Sequence, residues 1–163
     1  MTKKSLITYI LILLILSTSA GSKIYAQWIN LSPISSSDIN SIVGRGSEIY
    51  AGAYDKGIYL STDNGDSWKL YNQGLLGLEV TCLLSTGSDI FAGTYYNGLY
   101  KLEGSTWTPV NVCDEVTVHA LGFCGSVIYA AINNSIYSSS DYGTTWTKVY
   151  DLDKGVYVTS FAF

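Results

Sequence analysis

The segment STDNGDSW at residues 61–68 decides the fold of this chain, because it recurs as SSDYGTTW at residues 139–146. Both copies fit the pattern Ser-x-Asp-x-Gly-x-x-Trp. An Asp in such a turn can accept hydrogen bonds from backbone N–H groups, and the Gly supplies the positive φ that closes a hairpin. The Trp buries a large ring between structural units. The pattern therefore predicts structural hairpin turns built by Ser61, Asp63, Gly65 and Trp68 and by Ser139, Asp141, Gly143 and Trp146.

A related unit lies between these two copies. Trp107 is 39 residues from Trp68 and from Trp146, and Trp28 lies 40 residues before Trp68. The middle hairpin is two residues shorter, with Leu102 and Glu103 near the Asp position, but Gly104 and Trp107 persist in their structural places. The chain is thus predicted to be built from repeats of about 40 residues, a period typical of propeller blades.

Each repeat contains four short apolar segments separated by polar turns. In the first repeat these segments are predicted as strands at Ile39–Val43, Glu48–Ala53, Gly57–Ser61 and Trp68–Tyr71. No helical period occurs after the N-terminal leader, and short strands with regular turns indicate antiparallel hairpins. We therefore expect an all-β partial β-propeller of four-stranded antiparallel blades, with about 3.5 blades present. The fourth unit begins at residues 156–163 (VYVTSFAF). A flat β-solenoid is the second candidate fold.

The first 26 residues are predicted to be a signal peptide helix. Lys3 and Lys4 precede an apolar run at residues 6–16, and small residues follow it. The run is shorter than the roughly 20 residues of a membrane span, although an uncleaved anchor is the alternative. Cleavage could follow Ala20 or Ala26. Residues 27–163 are then the propeller blades, which we expect to be the N-terminal part of a larger, truncated propeller. This domain is predicted to lie outside the bacterial cell, in the periplasm or on the cell surface, with no membrane contact after cleavage.

Charge and cysteine content exclude several classes of partner and reaction. Three of the nine basic residues lie in the leader, so the remainder carries six basic and thirteen acidic residues, which disfavours nucleic acid. The odd cysteine count indicates free thiols at Cys82, Cys113 and Cys124. Only one histidine, His119, is present, and it is predicted to be a packed residue near the propeller axis rather than a partner of a catalytic cysteine.

The two Ser-x-Asp-x-Gly-x-x-Trp turns resemble the Asp-box, or BNR, repeats of sialidases, sortilin-type receptors, xyloglucanases and photosystem II assembly-factor-like propellers. The segments GSDIFAGTYYNGLY (87–100) and STDNGDSWKLYNQGL (61–75) look most like secreted Asp-box propellers of Bacteroidetes-type bacteria. The resemblance covers residues 28–163. It implies the fold strongly and the function only weakly.

An enzyme site is not indicated. Sialidases bind the substrate carboxylate with three arginines, whereas this chain has a single arginine, Arg45, predicted as a solvated turn residue. No carboxylate pair stands out as a glycosidase acid and base. The segment Asp63-Asn64-Gly65-Asp66 faintly resembles a calcium loop but lacks its remaining ligands. We therefore expect no catalytic residue, no metal and no cofactor.

Antiparallel blades place the turns between second and third strands, and the connections between blades, on the face opposite the Asp-boxes. That face is predicted to bind a glycan or a protein, although its residues could simply form turns. The leading hypothesis is a non-catalytic binding or scaffold module. The alternatives are part of a secreted glycoside hydrolase and a periplasmic sensor propeller of a two-component regulator. Open blade faces also predict self-association if the chain is this short. The candidate binding residues are Tyr54, Asp55, Tyr95, Tyr96, Asn97, Asn133 and Asn134.

Overall fold

The computed structural model describes residues 38–112 and 116–163 as an all-β chain with no helix in those ranges. The predicted signal peptide at residues 1–26, Trp28 and Cys113 lie outside the described residues. The strands are β1 (Ile39–Arg45), β2 (Glu48–Ala53), β3 (Gly57–Ser61), β4 (Lys69–Leu70), β5 (Val80–Ser85), β6 (Ile90–Thr94), β7 (Leu99–Glu103), β8 (Thr106–Val110), β9 (Val118–Cys124), β10 (Val127–Ile132), β11 (Ser135–Ser139) and β12 (Thr147–Asp151).

These strands form three four-stranded antiparallel sheets, in the orders β1-β2-β3-β4, β5-β6-β7-β8 and β9-β10-β11-β12. We call them blades 1, 2 and 3. Within each blade, every strand pairs with its neighbour in the sequence. The predicted all-β architecture of four-stranded antiparallel blades is therefore confirmed.

The predicted boundaries of the second and third strands of blade 1 agree with β2 and β3. The fourth was predicted too long, at Trp68–Tyr71, because β4 covers only Lys69–Leu70, and β1 runs two residues further than predicted, to Arg45. Its guanidinium donates to Glu48 Oε2 at 2.9 Å and to the Tyr50 hydroxyl at 2.9 Å. The prediction of a solvated turn residue at Arg45 was thus wrong. The register pairs Arg45 with Glu48 across the β1–β2 hairpin, which holds the side chain against the strand.

Apolar side chains fill the two gaps between the blades. Trp107 is 1% exposed, lies edge-on to Tyr50 of blade 1 at 6.5 Å, and donates its Nε1–H to the Tyr71 carbonyl at 2.7 Å. Trp146 is half-buried and packs against the cluster that joins blades 2 and 3, while its Nε1–H donates to the Gly143 carbonyl of its own turn at 3.1 Å. Among the described residues, Trp68 packs on its own blade, against Ala51, Ala53 and Tyr59 and other apolar residues.

Neighbouring blades approach each other closely where the second strand carries a glycine. A Cβ added at Gly52 would lie 2.6 Å from Val80 Cγ1, and one added at Gly93 would lie 2.7 Å from Val118 Cγ1. Since real Cβ atoms are not found at such distances, the next blade's first strand occupies the space that a larger side chain would need.

The first strand of each blade has an irregularity at the same place. The register shifts at the second residue of each of these strands, which is Asn40 in β1, Thr81 in β5 and His119 in β9. Asn40 Nδ2 donates to the Val80 carbonyl at 3.0 Å, and Thr81 Oγ1 donates to the Val118 carbonyl at 2.5 Å. The bulges of β1 and β5 therefore bond these strands to the first strand of the next blade.

Residues 156–163, predicted to open a fourth unit, form no strand in the structure. The segment nevertheless packs on blade 3. The Phe161 and Phe163 rings lie 6.1 and 5.5 Å from the Tyr129 ring, and Tyr157 lies 4.7 Å from His119. His119 is half-buried in a first strand. Within residues 38–112 and 116–163 there is no helix of the length and apolarity needed to cross a membrane.

Candidate functional site

The turns between the second and third strands of the blades lie on one face, which we call the tyrosine face. In each blade the residue after the second strand donates its backbone N–H to a carbonyl just before the first strand. These bonds join Tyr54 to Asp38 at 3.0 Å, Tyr95 to Glu79 at 2.9 Å and Asn133 to Thr117 at 2.9 Å. Tyr54, Tyr95 and Asn133 are therefore equivalent positions, each anchored at the start of its blade.

The most exposed aromatic group of this face is a pair of tyrosines. The rings of Tyr95 and Tyr96 lie 4.1 Å apart at 55°, and the Tyr95 hydroxyl donates to the Tyr96 hydroxyl at 3.2 Å. This hydrogen bond raises the pKa of Tyr95, and the nearby Tyr54 and Glu79 raise that pKa further by their charge. Tyr96 is 64% exposed, so its ring is available to a ligand.

The backbone holds Tyr96 in place across the boundary between blades 2 and 3. Its φ is 65°, and its N–H donates to Thr117 Oγ1 at 3.3 Å. Thr117 is 4% exposed, and its own N–H donates to Asn133 Oδ1 at 3.1 Å. Tyr96 is thus an exposed ring on a backbone that is fixed by a buried neighbour of the next blade.

The asparagines of the predicted set hold loops together rather than joining the tyrosine pair. A Cβ added at Gly77, in the connection between blades 1 and 2, would lie 2.6 Å from Asn97 Oδ1, so the two are in close contact. Asn133 accepts the bond from Thr117, and Asn134 Nδ2 donates to the Leu152 carbonyl at 3.3 Å. Their amide groups are therefore engaged in fixing the connections.

Two carboxylates of the tyrosine face were missed by the sequence analysis. Asp38 and Glu79 each directly precede the first strand of a blade, at equivalent positions, and Glu79 acts on the Tyr95 hydroxyl. The signal was present, because an acidic residue stands at this position in two of the repeats. The predicted Asp55 lies exposed in the turn of blade 1, where its charge adds to the effect of burial in raising the pKa of Tyr59.

The opposite face carries the two recurring turns. In the first, Ser61 Oγ donates to Asp63 Oδ1 at 2.8 Å and accepts from the Gly65 N–H at 2.8 Å. Asp63 Oδ1 and Oδ2 accept from the Ser67 N–H at 2.9 Å and from its hydroxyl at 2.5 Å. Trp68 Nε1 donates to the Gly65 carbonyl at 3.0 Å. Gly65 has a φ of 95°, so a β-carbon would be strained there.

The second recurring turn repeats this network. Asp141 accepts from the Ser139 hydroxyl at 2.8 Å and from the Thr145 N–H and hydroxyl at 2.9 and 2.5 Å. The pKa of Asp63 is lowered to about 2 by the hydrogen bonds from Ser67 and, to a smaller extent, from Ser61. The bonds from Thr145 and then Ser139 lower the pKa of Asp141 to about 2 in the same way. The hydroxyl at the seventh position of the pattern was missed by the sequence analysis, because Ser stands there in one copy and Thr in the other.

These turns also connect blades. Gly143 lies where a Cβ would be 2.7 Å from Phe91 Cε1 of blade 2, and Lys101 Nζ donates to the Tyr142 carbonyl at 3.2 Å. In blade 2 the shorter hairpin closes between Glu103 and Thr106, with Gly104 at a φ of 61°. The Ser, Asp, Gly and Trp residues of the recurring pattern are engaged in bonding the turn or packing it, on the face away from the tyrosine pair.

Metal and thiol chemistry find little support in the part of the chain that the structure describes. There, no group of three or more His, Cys, Asp or Glu side chains is placed to hold a metal ion. Cys82 and Cys124 are free thiols, and burial raises the pKa of Cys82 to about 11. A thiol with so high a pKa is a poor nucleophile at neutral pH.

The chain matches no protein-family model and no curated protein. It is similar in structure to β-propeller proteins. The extracellular domain of a one-component system from B. thetaiotaomicron matches with a TM-score of 0.64 at 12% identity, over 78% of this chain and 18% of that one. A GH74 xyloglucanase from Xanthomonas campestris matches with a TM-score of 0.53 at 16% identity, over 63% of this chain and 20% of that one.

A third similar structure is that of YCF48 bound to D1 peptide, with a TM-score of 0.58 at 13% identity, over 75% of this chain and 43% of that one. The chain spans less than half the length of each of these three proteins. At such identities the similarity establishes the β-propeller fold of the described blades and nothing further about activity.

Proposed function

We propose that this chain is an exported, non-catalytic β-propeller of the Asp-box type that binds a glycan or a protein ligand on its tyrosine face. The observation that carries the proposal is the Tyr95–Tyr96 pair, whose rings lie 4.1 Å apart while Tyr96 remains 64% exposed. Exposed aromatic rings with a hydroxyl group provide both apolar contact area and hydrogen bonds, which suits sugars and peptides.

The way in which Tyr96 is held supports a binding role. Bulky residues at a positive φ are uncommon, and such strain persists where the surrounding structure enforces it, often at ligand sites. Here the Thr117 hydroxyl of blade 3 fixes the Tyr96 N–H. A rigid aromatic group loses little conformational entropy on binding, so the arrangement favours recognition.

Two alternative functions are supported by the similar structures. The similarity to the extracellular domain of a one-component system favours a periplasmic sensor propeller, and that to a GH74 xyloglucanase favours part of a secreted glycoside hydrolase. The similarity to YCF48 bound to D1 peptide keeps a protein ligand among the candidates. A hydrolase would use a pair of carboxylates across a cleft. All three functions place the chain outside the cytoplasm, as the predicted signal peptide does.

The proposal is tested by screening residues 27–163 against a glycan array and a peptide library. We expect at least one ligand whose binding is weakened by Tyr96→Ala. The matched control is Tyr142→Ala, because Tyr142 is also exposed and also has a positive φ, of 56°, but lies on the opposite face. Loss of binding in the Tyr142 variant with full binding in the Tyr96 variant would place the ligand elsewhere and overturn the proposal.

A further inference from the structure

On the tyrosine face, an acidic residue directly precedes the first strand of blade 1 and of blade 2. Glu79 is joined to Tyr95 through its backbone carbonyl at 2.9 Å, and its charge reaches the Tyr95 hydroxyl. Asp38 occupies the equivalent position in blade 1, where its backbone carbonyl accepts from the Tyr54 N–H. Tyr54 is exposed, and its interaction with Tyr95 contributes to raising the pKa of Tyr95. The second blade of the chain therefore presents aromatic rings next to negative charge, rather than rings alone.

The charges of this face favour a positive ligand. Among the described residues in the turns and connections of blades 1 and 2 on this face, the acidic residues are Asp38, Asp55 and Glu79, and the basic one is Lys56. The faces of tyrosine rings attract cations through the negative side of the ring quadrupole, and a neighbouring carboxylate adds a direct charge attraction. A carboxylate or phosphate ligand would be repelled by the same groups.

The tyrosine rings indicate which class of cation suits this face. Ammonium groups carried on an alkyl chain bind tyrosine faces within about 6 Å of the ring centroid, and their methylene groups contact the apolar part of the ring. A bare metal ion instead needs several oxygen ligands converging on one point, and the described residues show no such convergence. The face is therefore chemically suited to an organic cation.

We propose that Tyr54, Tyr95, Tyr96 and Glu79 form a binding site for an organic ammonium group, supplied by a lysine side chain of a peptide or protein ligand. This inference rests on the proposed function, because it names the ligand class of the same face. It favours a protein ligand over a glycan, because a glycan without a positive charge gains no charge attraction to Glu79.

The experiment titrates residues 27–163 with choline and with 3,3-dimethylbutan-1-ol, a neutral molecule of nearly the same shape, and follows amide shifts by NMR. A capped peptide of alternating glycine and lysine is the third probe, with its glutamate counterpart as the fourth. We expect shifts at Tyr95, Tyr96 and Glu79 with choline and with the lysine peptide. Neither the neutral molecule nor the glutamate peptide should produce them, and added salt should weaken the binding.

Matched variants separate the roles of ring and charge. Tyr96→Ala and Glu79→Gln should each reduce choline affinity by about threefold or more, which is the size of one exposed cation–π contact. Lys56→Gln should increase the affinity. The controls are Tyr142→Ala and Asp66→Asn, which remove an exposed tyrosine and an exposed carboxylate from the opposite face and should leave the affinity unchanged. Unchanged one-dimensional spectra would show that the variants are folded.

Equal shifts with choline and with its neutral analogue would overturn the proposal, as would full choline affinity in a folded Glu79→Gln variant. A glycan that binds through Tyr96 while both cationic probes fail would also overturn it but would leave the proposed function intact. The proposed function would fall only if no ligand of any class bound this face.

Discussion

Tyr96 shows how a single residue combines strain with exposure. An L-residue in the left-handed region costs roughly 1–2 kcal/mol relative to the right-handed one, and a β-branched residue fits this region least well. Tyr96→Gly should therefore alter the free energy of unfolding by about 1 kcal/mol or less, because relief of strain offsets the lost ring contact. Tyr96→Val should be about 1–2 kcal/mol less stable than the glycine variant in urea denaturation. Equal stability of the two variants would contradict a backbone fixed at a φ of 65°.

The aspartates of the recurring turns predict a dependence of stability on pH. Their folded-state pKa is about 2, below the ordinary value of 3.8, so each carboxylate stabilises the fold fully above about pH 4. This contribution should be lost as the pH falls from about 4 towards 2. We expect the melting temperature to fall less steeply over that range in Asp63→Asn and Asp141→Asn. Asp66→Asn is the control, since Asp66 joins the turn through its backbone N–H. The same slope in all three variants would contradict the assignment.

At the residue scale the sequence predicted the turns better than the site. Asp63, Gly65 and Trp68 have fixed identities with a local physical role, so the pattern reveals them. Glu79 reaches Tyr95 only because the chain folds back through a turn, and such a contact depends on the strand register. Arg45 was assigned to a turn because Gly44 and Gly46 flank it, but its pairing with Glu48 extends the strand.

Among the elements, the contact between neighbouring blades rests on the glycine of the second strand. Gly52→Ala should lower the free energy of unfolding by about 1–3 kcal/mol, because the new methyl would lie 2.6 Å from Val80 Cγ1 in a packed interface. Gly44→Ala in the adjacent strand is the control, since its nearest atom would be 3.8 Å away. Chemical denaturation measures both variants. A Gly52 variant as stable as the Gly44 variant would show that the blades are less closely packed than the structure indicates.

The strands themselves were predictable, but their irregularities were not. The apolar alternation and the turn residues located β2 and β3 to the residue. The bulges at Asn40, Thr81 and His119 carry three chemically different side chains, so no residue pattern marks them. At Asn40 and Thr81 the side chain bonds the first strand of the next blade, as from Thr81 to the Val118 carbonyl. A sequence-local pattern does not contain that information.

Across the whole molecule, Trp107 is the largest fully buried side chain of the described residues, and it lies in the gap between blades 1 and 2. Trp107→Ala should destabilise the fold by about 3–5 kcal/mol, because it empties a buried site and leaves the Tyr71 carbonyl without its partner. Trp68→Ala should cost clearly less, because Trp68 packs on one blade only and is half-buried. Thermal and urea unfolding would compare the two. Equal losses would mean that Trp107 does not join blade 1 to blade 2.

The outer face of blade 3 is covered by residues 156–163, and this cover can be tested. Phe161→Ser combined with Phe163→Ser should expose the Tyr129 ring, because both phenylalanines lie beside it. We expect increased binding of an apolar dye and increased self-association in analytical ultracentrifugation, since a large exposed apolar patch promotes association. The control is Leu76→Ser, a change at a leucine that is already exposed. Unchanged dye binding in the double variant would contradict the packing of this segment.

Sequential pairing of every strand with its neighbour has a consequence for how the chain acquires its structure. Each blade is closed by hairpins within a short stretch of sequence, so little loop-closure entropy opposes its formation. Chains dominated by local contacts fold quickly, and stacked repeats can nucleate at more than one place. A blade can thus form as soon as its own residues are available, before the following blades have formed. The early blades would then serve as a template on which each later first strand is laid down.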